Sequence, residues 1–188
     1  MDVIASGAPG LQTAASVVAF AASVLLVAGG IPKIRRPEPV TRALAAARLP
    51  ASTGVARALG VGESVIGVLF LTVPGRASAA LLAAAYVGFA AFLTYLLVAH
   101  VAVASCGCAG ERDLPPSWLH VGLDLVATMA AIVAAFDPPP AILRFAADQP
   151  LAGIPFLFGV LLIAWLAALV VAYVPALFGS YRGTVTAA

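Results

Sequence analysis

Five apolar stretches constrain this chain more than any other feature of its sequence. Each is about 20 residues long, and a helix of that length crosses a hydrocarbon layer of about 30 Å. Charged residues make up 10% of the chain, whereas a soluble domain carries about 25%, so there is too little polar surface to cover a water-exposed globule. We therefore predict an all-α fold: a polytopic membrane helical bundle that forms a single membrane domain over residues 1–188.

Turn-forming residues set the bounds of the predicted helices. Three prolines follow Ile31 within eight residues and are expected to end the first helix there. Pro74-Gly75 forms a turn so tight that the second and third helices must be antiparallel neighbours. Ser52 or Thr53 is expected to cap the second helix. The predicted membrane helices cover about 11–31, 53–73, 76–103, 117–136 and 153–174, and an interfacial helix covers about 40–49.

The charge pattern narrows the class of partner. A net charge of +2 without a soluble basic face gives no reason to expect a nucleic acid partner. The lipid bilayer is the first expected partner, and we expect a multi-pass protein of the cell (plasma) membrane. A short stretch around 141–149 is expected to form one more interfacial helix before the fifth span.

Alternation of the helices gathers the polar residues at one side of the bilayer. The end of the first helix, the start of the second, the end of the third and the start of the fourth all lie on that side. His120 and Asp124 are four residues apart on one helix and therefore share a face, where Asp124 could orient His120. The candidate supporting residues on this side are Lys33, Glu63, His100, His120 and Asp124.

Glu63 needs the most explanation because it lies roughly 15 Å below the start of its helix. A charge at that depth costs about 2.5–3.5 kcal/mol and normally pairs or faces the bundle interior. Lys33 is the natural partner, since a long basic side chain near a helix end can bend along the helix. Two interpretations stay open: a structural ion pair or hydrogen-bonded acid, and a role in proton transfer or quinone contact.

The only two cysteines of the chain, Cys106 and Cys108, flank a single glycine between the third and fourth predicted helices. A disulfide between residues two apart closes a small strained ring, and strain makes a disulfide a better oxidant. Gly107 supplies the backbone freedom that such a ring needs. The pair suits thiol–disulfide exchange, but two alternatives stay open: a soft-metal site completed by His100 or His120, and an inert pair of thiols.

Three features together resemble the methylamine utilisation protein MauE family, which belongs to the wider DoxX-like membrane proteins. They are Gly30-Ile31-Pro32-Lys33, the intramembrane Glu63, and Cys106-Gly107-Cys108-Ala109-Gly110. The resemblance covers roughly residues 11–136. It implies a four-helix MauE/DoxX-like core, broadly similar to vitamin K epoxide reductase-like proteins, with the fifth C-terminal transmembrane helix as an addition.

The family also implies a role in maturing a disulfide-rich dehydrogenase subunit beside a thioredoxin-like partner, with Cys106 and Cys108 as the redox pair. Two departures stand out. Ala109 follows the second cysteine where the family often has an aromatic residue, and His120 and Asp124 lie where it often has an Arg and an Asn or Asp. Methylamine metabolism itself does not follow from the resemblance.

The membrane side of the cysteines is where two arguments conflict. The positive-inside rule makes the basic residues after the first helix cytoplasmic, and alternation then puts the cysteines at the cytoplasmic face. The family role instead implies the oxidising outer side, where disulfides persist. We favour the outer side on function.

Three functions are consistent with this sequence. The first is a membrane thiol–disulfide redox protein that exchanges electrons with a thioredoxin-like partner and supports maturation of exported proteins. The second is a non-catalytic accessory subunit of a larger membrane complex, and the third is soft-metal binding or transport. No cofactor is certain. A relay with one cysteine pair needs a second station, which is a quinone, a metal or the cysteines of a partner.

Overall fold

The structure, a computed structural model, describes residues 9–101, 103, 116–148 and 150–185, and these residues form helices joined by short turns, without strands. Five of the described helices, α1, α3, α4, α5 and α7, are long and apolar enough to cross a membrane. The predicted polytopic helical bundle is therefore confirmed. In chain order the helices are α1 (Pro9–Arg35), α2 (Glu38–Ala46), α3 (Thr53–Thr72), α4 (Arg76–Val98), α5 (Trp118–Phe136), α6 (Ile142–Asp148) and α7 (Pro150–Val185).

The end of α1 lies one turn later than predicted, at Arg35 rather than Ile31. Pro32 sits inside the last turn, where its missing N–H removes only one backbone hydrogen bond. The helix continues past it, because the Arg36 N–H donates to the Pro32 carbonyl oxygen at 2.7 Å. The helix stops at Arg35, two residues before Pro37, since the residue before a proline is pushed away from helical geometry.

The end of α4 was also predicted wrongly, since the helix stops at Val98 rather than 103. The Val101 N–H reaches back to the Leu96 carbonyl oxygen at 3.0 Å, and His100 takes a φ of 49°. This is a Schellman motif, which closes a helix with one left-handed residue, usually glycine. Periodicity did not reveal it, because a histidine occupies the glycine position. Ser52 caps α3 as expected, accepting from the Val55 N–H at 3.1 Å.

The last helix, α7, is longer than the predicted span of 153–174 and continues beyond Pro175 to Val185. The prediction that the helix ends before this proline was wrong. A proline removes one backbone hydrogen bond, and the helix continues through Pro175 without that bond. The short helix expected around 141–149 is present as α6.

Glycines allow α1 and the antiparallel α3 to pack backbone against backbone. A Cβ on Gly67 would lie 2.7 Å from the Ser23 carbonyl oxygen, and one on Gly60 would lie 2.6 Å from the Gly30 carbonyl oxygen. Both distances are too short for any side chain, so this crossing requires glycine. Close approach of this kind is typical of membrane helix pairs, which associate through packing rather than hydrophobic burial.

The two ends of this helix pair differ in character. Towards the start of α1, Phe20 packs against Phe70 of α3 at 5.4 Å and Phe156 of α7 at 5.9 Å between ring centroids. We call this the aromatic end of the bundle. We call the opposite end, where α1 finishes and α3 begins, the polar end. It holds Lys33 and Glu63, both buried.

Candidate functional site

The charged residues at the polar end form a buried ion pair. Lys33 Nζ lies 2.6 Å from each carboxylate oxygen of Glu63, and the two side chains are 5% and 7% exposed. The predicted contact between Lys33 and Glu63 is thus present. Because each charge neutralises the other, neither is left uncompensated in hydrocarbon.

The surroundings of Lys33 explain how the lysine reaches this position. Its Cβ passes so close to α3 that a Cβ on Gly60 would lie only 2.9 Å from it. Its ammonium lies 5.1 Å from the centroid of the Phe89 ring on α4, within the range of a cation–π interaction. A glycine on one side and an aromatic ring on the other therefore hold the lysine between α3 and α4.

His120 is a further buried polar group at this end, in the first turn of α5, and it is 5% exposed. Its Nδ1 lies 2.6 Å from the hydroxyl oxygen of Ser117, the residue that precedes the helix. Ser117 thus orients the ring, a role that the sequence suggested for Asp124. Among the described residues, the Nε2 of His120 finds no hydrogen-bond partner.

A cavity of about 450 Å³ connects these groups. Its wall comes from α1, α3, α4, α5 and α7 and is mostly aliphatic. Cavities of this size, apolar with a few convergent polar groups, are typical ligand sites. The cavity brings together four of the predicted supporting residues. The ionisable residues that line it are Lys33, Glu63, Tyr86, His120 and Asp124.

Tyr86 also lines this cavity, although it was not among the candidate residues predicted from the sequence. Its hydroxyl donates to the Ala22 carbonyl oxygen at 2.7 Å, and its ring packs edge-on against Phe89 at 5.7 Å. A signal was available in the sequence. Leu82, Tyr86, Phe89 and Leu93 recur at helical spacing, so they share the inward face of α4.

The other predicted site residues lie elsewhere. His100 is exposed just beyond α4 and does not line the cavity. Cys106 and Cys108 lie outside the described residues. The segment that contains them joins the end of α4 to the start of α5, two helix ends at the polar end. No cluster of three or more metal-binding side chains occurs in the described parts of the chain, which do not include the cysteines.

Comparisons with known proteins give one match. A family model described as "Methylamine utilisation protein MauE" matches residues 11–137, more than half of the chain. A comparison with curated proteins and a comparison with solved structures each give no match. The matched residues include α1 from residue 11 and all of α2 to α5, together with the ion pair, His120 and the two cysteines. The helices α6 and α7 lie beyond the match.

Proposed function

The chain belongs to the methylamine utilisation protein MauE family, and on that premise we propose that it is a thiol–disulfide redox protein of the plasma membrane. It exchanges electrons with a thioredoxin-like partner through Cys106 and Cys108 and supports the maturation of exported proteins. The observation that carries the proposal is the Cys-Gly-Cys spacing of the only two cysteines in the chain.

The exchange balances as two sulfur displacements. A thiolate of the reduced partner attacks one sulfur of the Cys106–Cys108 disulfide, forming a mixed disulfide and releasing the other cysteine as a thiolate. The second thiolate of the partner then attacks the mixed disulfide. The partner leaves as a disulfide, while Cys106 and Cys108 gain two electrons and, after protonation, become two thiols.

Connectivity supports this assignment. Residues 99–117 join α4 to α5, so the segment with both cysteines is anchored at the same end of the bundle as the ion pair. We place this segment on the outer side of the plasma membrane, where thiols are oxidised and exported proteins mature.

Single cysteine variants test the exchange. A Cys108→Ser chain should form a stable mixed disulfide with a partner if Cys106 carries the bond, because the neighbouring thiol that resolves it is absent; Cys106→Ser reports the reverse. The adduct is detected on a non-reducing gel and identified by mass spectrometry. The Cys106→Ser/Cys108→Ser double variant is the matched control. Absence of an adduct from both single variants under oxidising and reducing conditions would refute the exchange.

Labelling of intact cells with a membrane-impermeant maleimide tests the redox state and the membrane side together. Labelling only after mild reduction is the expected result, since it requires an oxidised pair on the outer side. Cysteines that react only in opened membranes, without reductant, would instead place a reduced pair in the cytoplasm and contradict the proposal.

A non-catalytic accessory subunit is the competing function. The observation in its favour is α7, which lies beyond the family match and exposes large side chains such as Phe158, at 75%, and Leu161, at 57%. An accessory subunit would keep the complex active when both cysteines are serine. Substitutions on this face of α7 would then abolish co-purification, whereas the redox proposal expects the cysteine variants to abolish function.

A further inference from the structure

We propose that the cavity at the polar end binds the head of a quinone-class molecule. The cavity is lined by α1, α3, α4, α5 and α7, and His120 faces the bound oxygen. The inference deepens the proposed function, on which it rests for its redox role, by naming the electron acceptor. Binding itself does not depend on the cysteines and is measured without them.

The cavity fits a lipid-soluble ligand in size and access. A volume of about 450 Å³ accommodates a substituted ring and part of a tail. On the side where α5 faces α7, the wall is the least tightly packed, because α7 rests mainly on α1 and α6 and touches α5 only lightly. A tail can leave the cavity there towards the bilayer, as a quinone tail must.

His120 supplies the polar contact that the ligand must satisfy. Its Nε2 is buried without a hydrogen-bond partner among the described residues, and a buried polar group without a partner destabilises the fold. The ring lines the cavity and is held by Ser117 at Nδ1. A ligand oxygen placed against Nε2 would complete the hydrogen bonding of the ring.

The pairing with Ser117 suits a ligand that exists in two redox forms. When the serine hydroxyl donates to Nδ1, Nε2 carries the proton and can donate to a quinone carbonyl. When the serine accepts from Nδ1–H, Nε2 becomes an acceptor for a quinol hydroxyl. A hydroxyl can rotate to serve either tautomer, so one site can bind the oxidised and the reduced ligand.

The charges that line the cavity favour a neutral ligand over an anionic lipid head. Lys33 is the only cation among the described lining residues, and Glu63 already binds it through both carboxylate oxygens. The ion pair therefore leaves Lys33 no unshared charge with which to bind an anion. A neutral ring with hydrogen-bonding oxygens is therefore the better match.

The redox step balances without any further reactant. Two thiols, Cys106 and Cys108, lose two electrons and two protons and become a disulfide. The quinone takes up two electrons and two protons and becomes the quinol. This step reoxidises the pair that the exchange with the partner had reduced.

The binding test uses the full chain in detergent–lipid micelles with decylubiquinone as the probe. Trp165 lines the cavity, and the only other tryptophan is Trp118, so a Trp118→Phe background leaves a single fluorescent reporter at the site. We expect saturable quenching by decylubiquinone. In that background, His120→Ala should weaken the apparent Kd by about tenfold, since one hydrogen bond to a buried group is lost. The exposed His100→Ala is the matched control and should leave Kd unchanged.

His120→Gln guards against a variant that fails to fold, because the amide keeps a donor and an acceptor near the position of Nε2. It should retain most of the affinity. Linear quenching without saturation, equal quenching by His120→Ala, or stronger competition by decanoate than by a second quinone would each overturn the proposal. Decanoate competition would indicate a fatty-acid or lipid site.

The Cys106→Ser/Cys108→Ser double variant separates the two proposals. Saturable binding to this variant supports the cavity site even if no mixed disulfide ever forms with a partner. Loss of binding in the double variant alone would overturn a site built from the cavity residues, while adduct formation by the single variants would still support thiol–disulfide exchange.

Discussion

The two ends of the α1–α3 pair hold together by different means. At the aromatic end, Phe20 and Phe70 are fully buried and fill the space between α1, α3 and α7. At the polar end, an ion pair holds the helices while a cavity of about 450 Å³ lies beside it. Close packing therefore holds the aromatic end, whereas the cavity extends along α1 from Val18 to Lys33 and reaches the ion pair.

This difference shows how a membrane bundle can contain a cavity and remain stable. Lipid tails are as apolar as the side chains, so helix association depends on close packing and on polar contacts rather than on hydrophobic burial. The aromatic end and the glycine crossing supply the packing that fixes the helix positions. The polar end can then use directional contacts, which leave room for a ligand.

The largest effect should come from breaking the ion pair on one side only. Lys33→Met leaves Glu63 as a buried charge without its partner and should lower the free energy of unfolding by about 3–5 kcal/mol, measured by denaturant titration in detergent–lipid micelles. The double variant Lys33→Met/Glu63→Met should lie closer to wild type than either single variant. Arg57→Met is the control. Arg57 is exposed on α3, the helix that carries Glu63, and its substitution should change the free energy of unfolding by less than about 0.5 kcal/mol. If the losses of unfolding free energy in the two single variants added up in the double variant, the ion pair would not be what stabilises the polar end.

Truncating a ring at the aromatic end should lower the free energy of unfolding slightly less than Lys33→Met does. Phe70→Ala should lower the free energy of unfolding by about 3 kcal/mol, because the ring is fully buried against Phe20 and its removal leaves a void. Phe136→Ala is the control, since that ring is 80% exposed. If both substitutions cost the same in denaturant titration, the aromatic end would not be the packed half of the comparison.

Adding a methyl group where α1 and α3 cross should have an intermediate effect on the free energy of unfolding. Gly67→Ala places a methyl group 2.7 Å from the Ser23 carbonyl oxygen and should cost about 1–3 kcal/mol by forcing α1 and α3 apart. Gly62→Ala is the matched control on the same helix, where nothing lies within 4 Å of the added carbon. That substitution should be neutral or slightly stabilising, since alanine favours helix more than glycine does. A thermal unfolding scan of both variants distinguishes the outcomes, and equal losses would contradict the close crossing.

The smallest effect concerns His100, which the sequence placed among the supporting residues. His100→Gly should raise the free energy of unfolding by up to about 1 kcal/mol, because glycine accepts a φ of 49° more readily than histidine does. Ala99→Gly, at the neighbouring cap position, should not stabilise. A stabilised His100→Gly variant that still forms the mixed disulfide would make His100 a helix-ending residue only, whereas a variant that loses the adduct would extend the functional region beyond the cavity.

Sequence patterns predicted the helices and the ion pair because both depend on local or nearly local rules. An apolar run of spanning length becomes a membrane helix, and a buried carboxylate needs a cation within reach, which left Lys33 as the partner of Glu63. Helix ends were harder to predict. Their positions depend on single backbone hydrogen bonds, such as the one from Arg36 to Pro32.

The cavity could not be predicted, because its shape depends on how four helices meet α7. Spacing places His120 and Asp124 on one face but does not show which neighbour holds the imidazole, and that neighbour is Ser117. Tyr86 was missed because an aromatic residue in a membrane helix has many reasons to be there. Its long side chain reaches from α4 to the Ala22 carbonyl oxygen on α1, a contact that spacing along α4 does not reveal.

The length of α7 has a consequence for topology. At 1.5 Å per residue, its 36 residues extend roughly 54 Å, well beyond a hydrocarbon layer of about 30 Å. The span that begins at Leu151 crosses the layer within about 20 residues, so the last turns of α7 continue past the membrane. With five spanning helices, these turns emerge on the same side as the segment between α4 and α5. A reporter protein fused after α7 would therefore reveal the membrane side of the cysteines without modifying either of them.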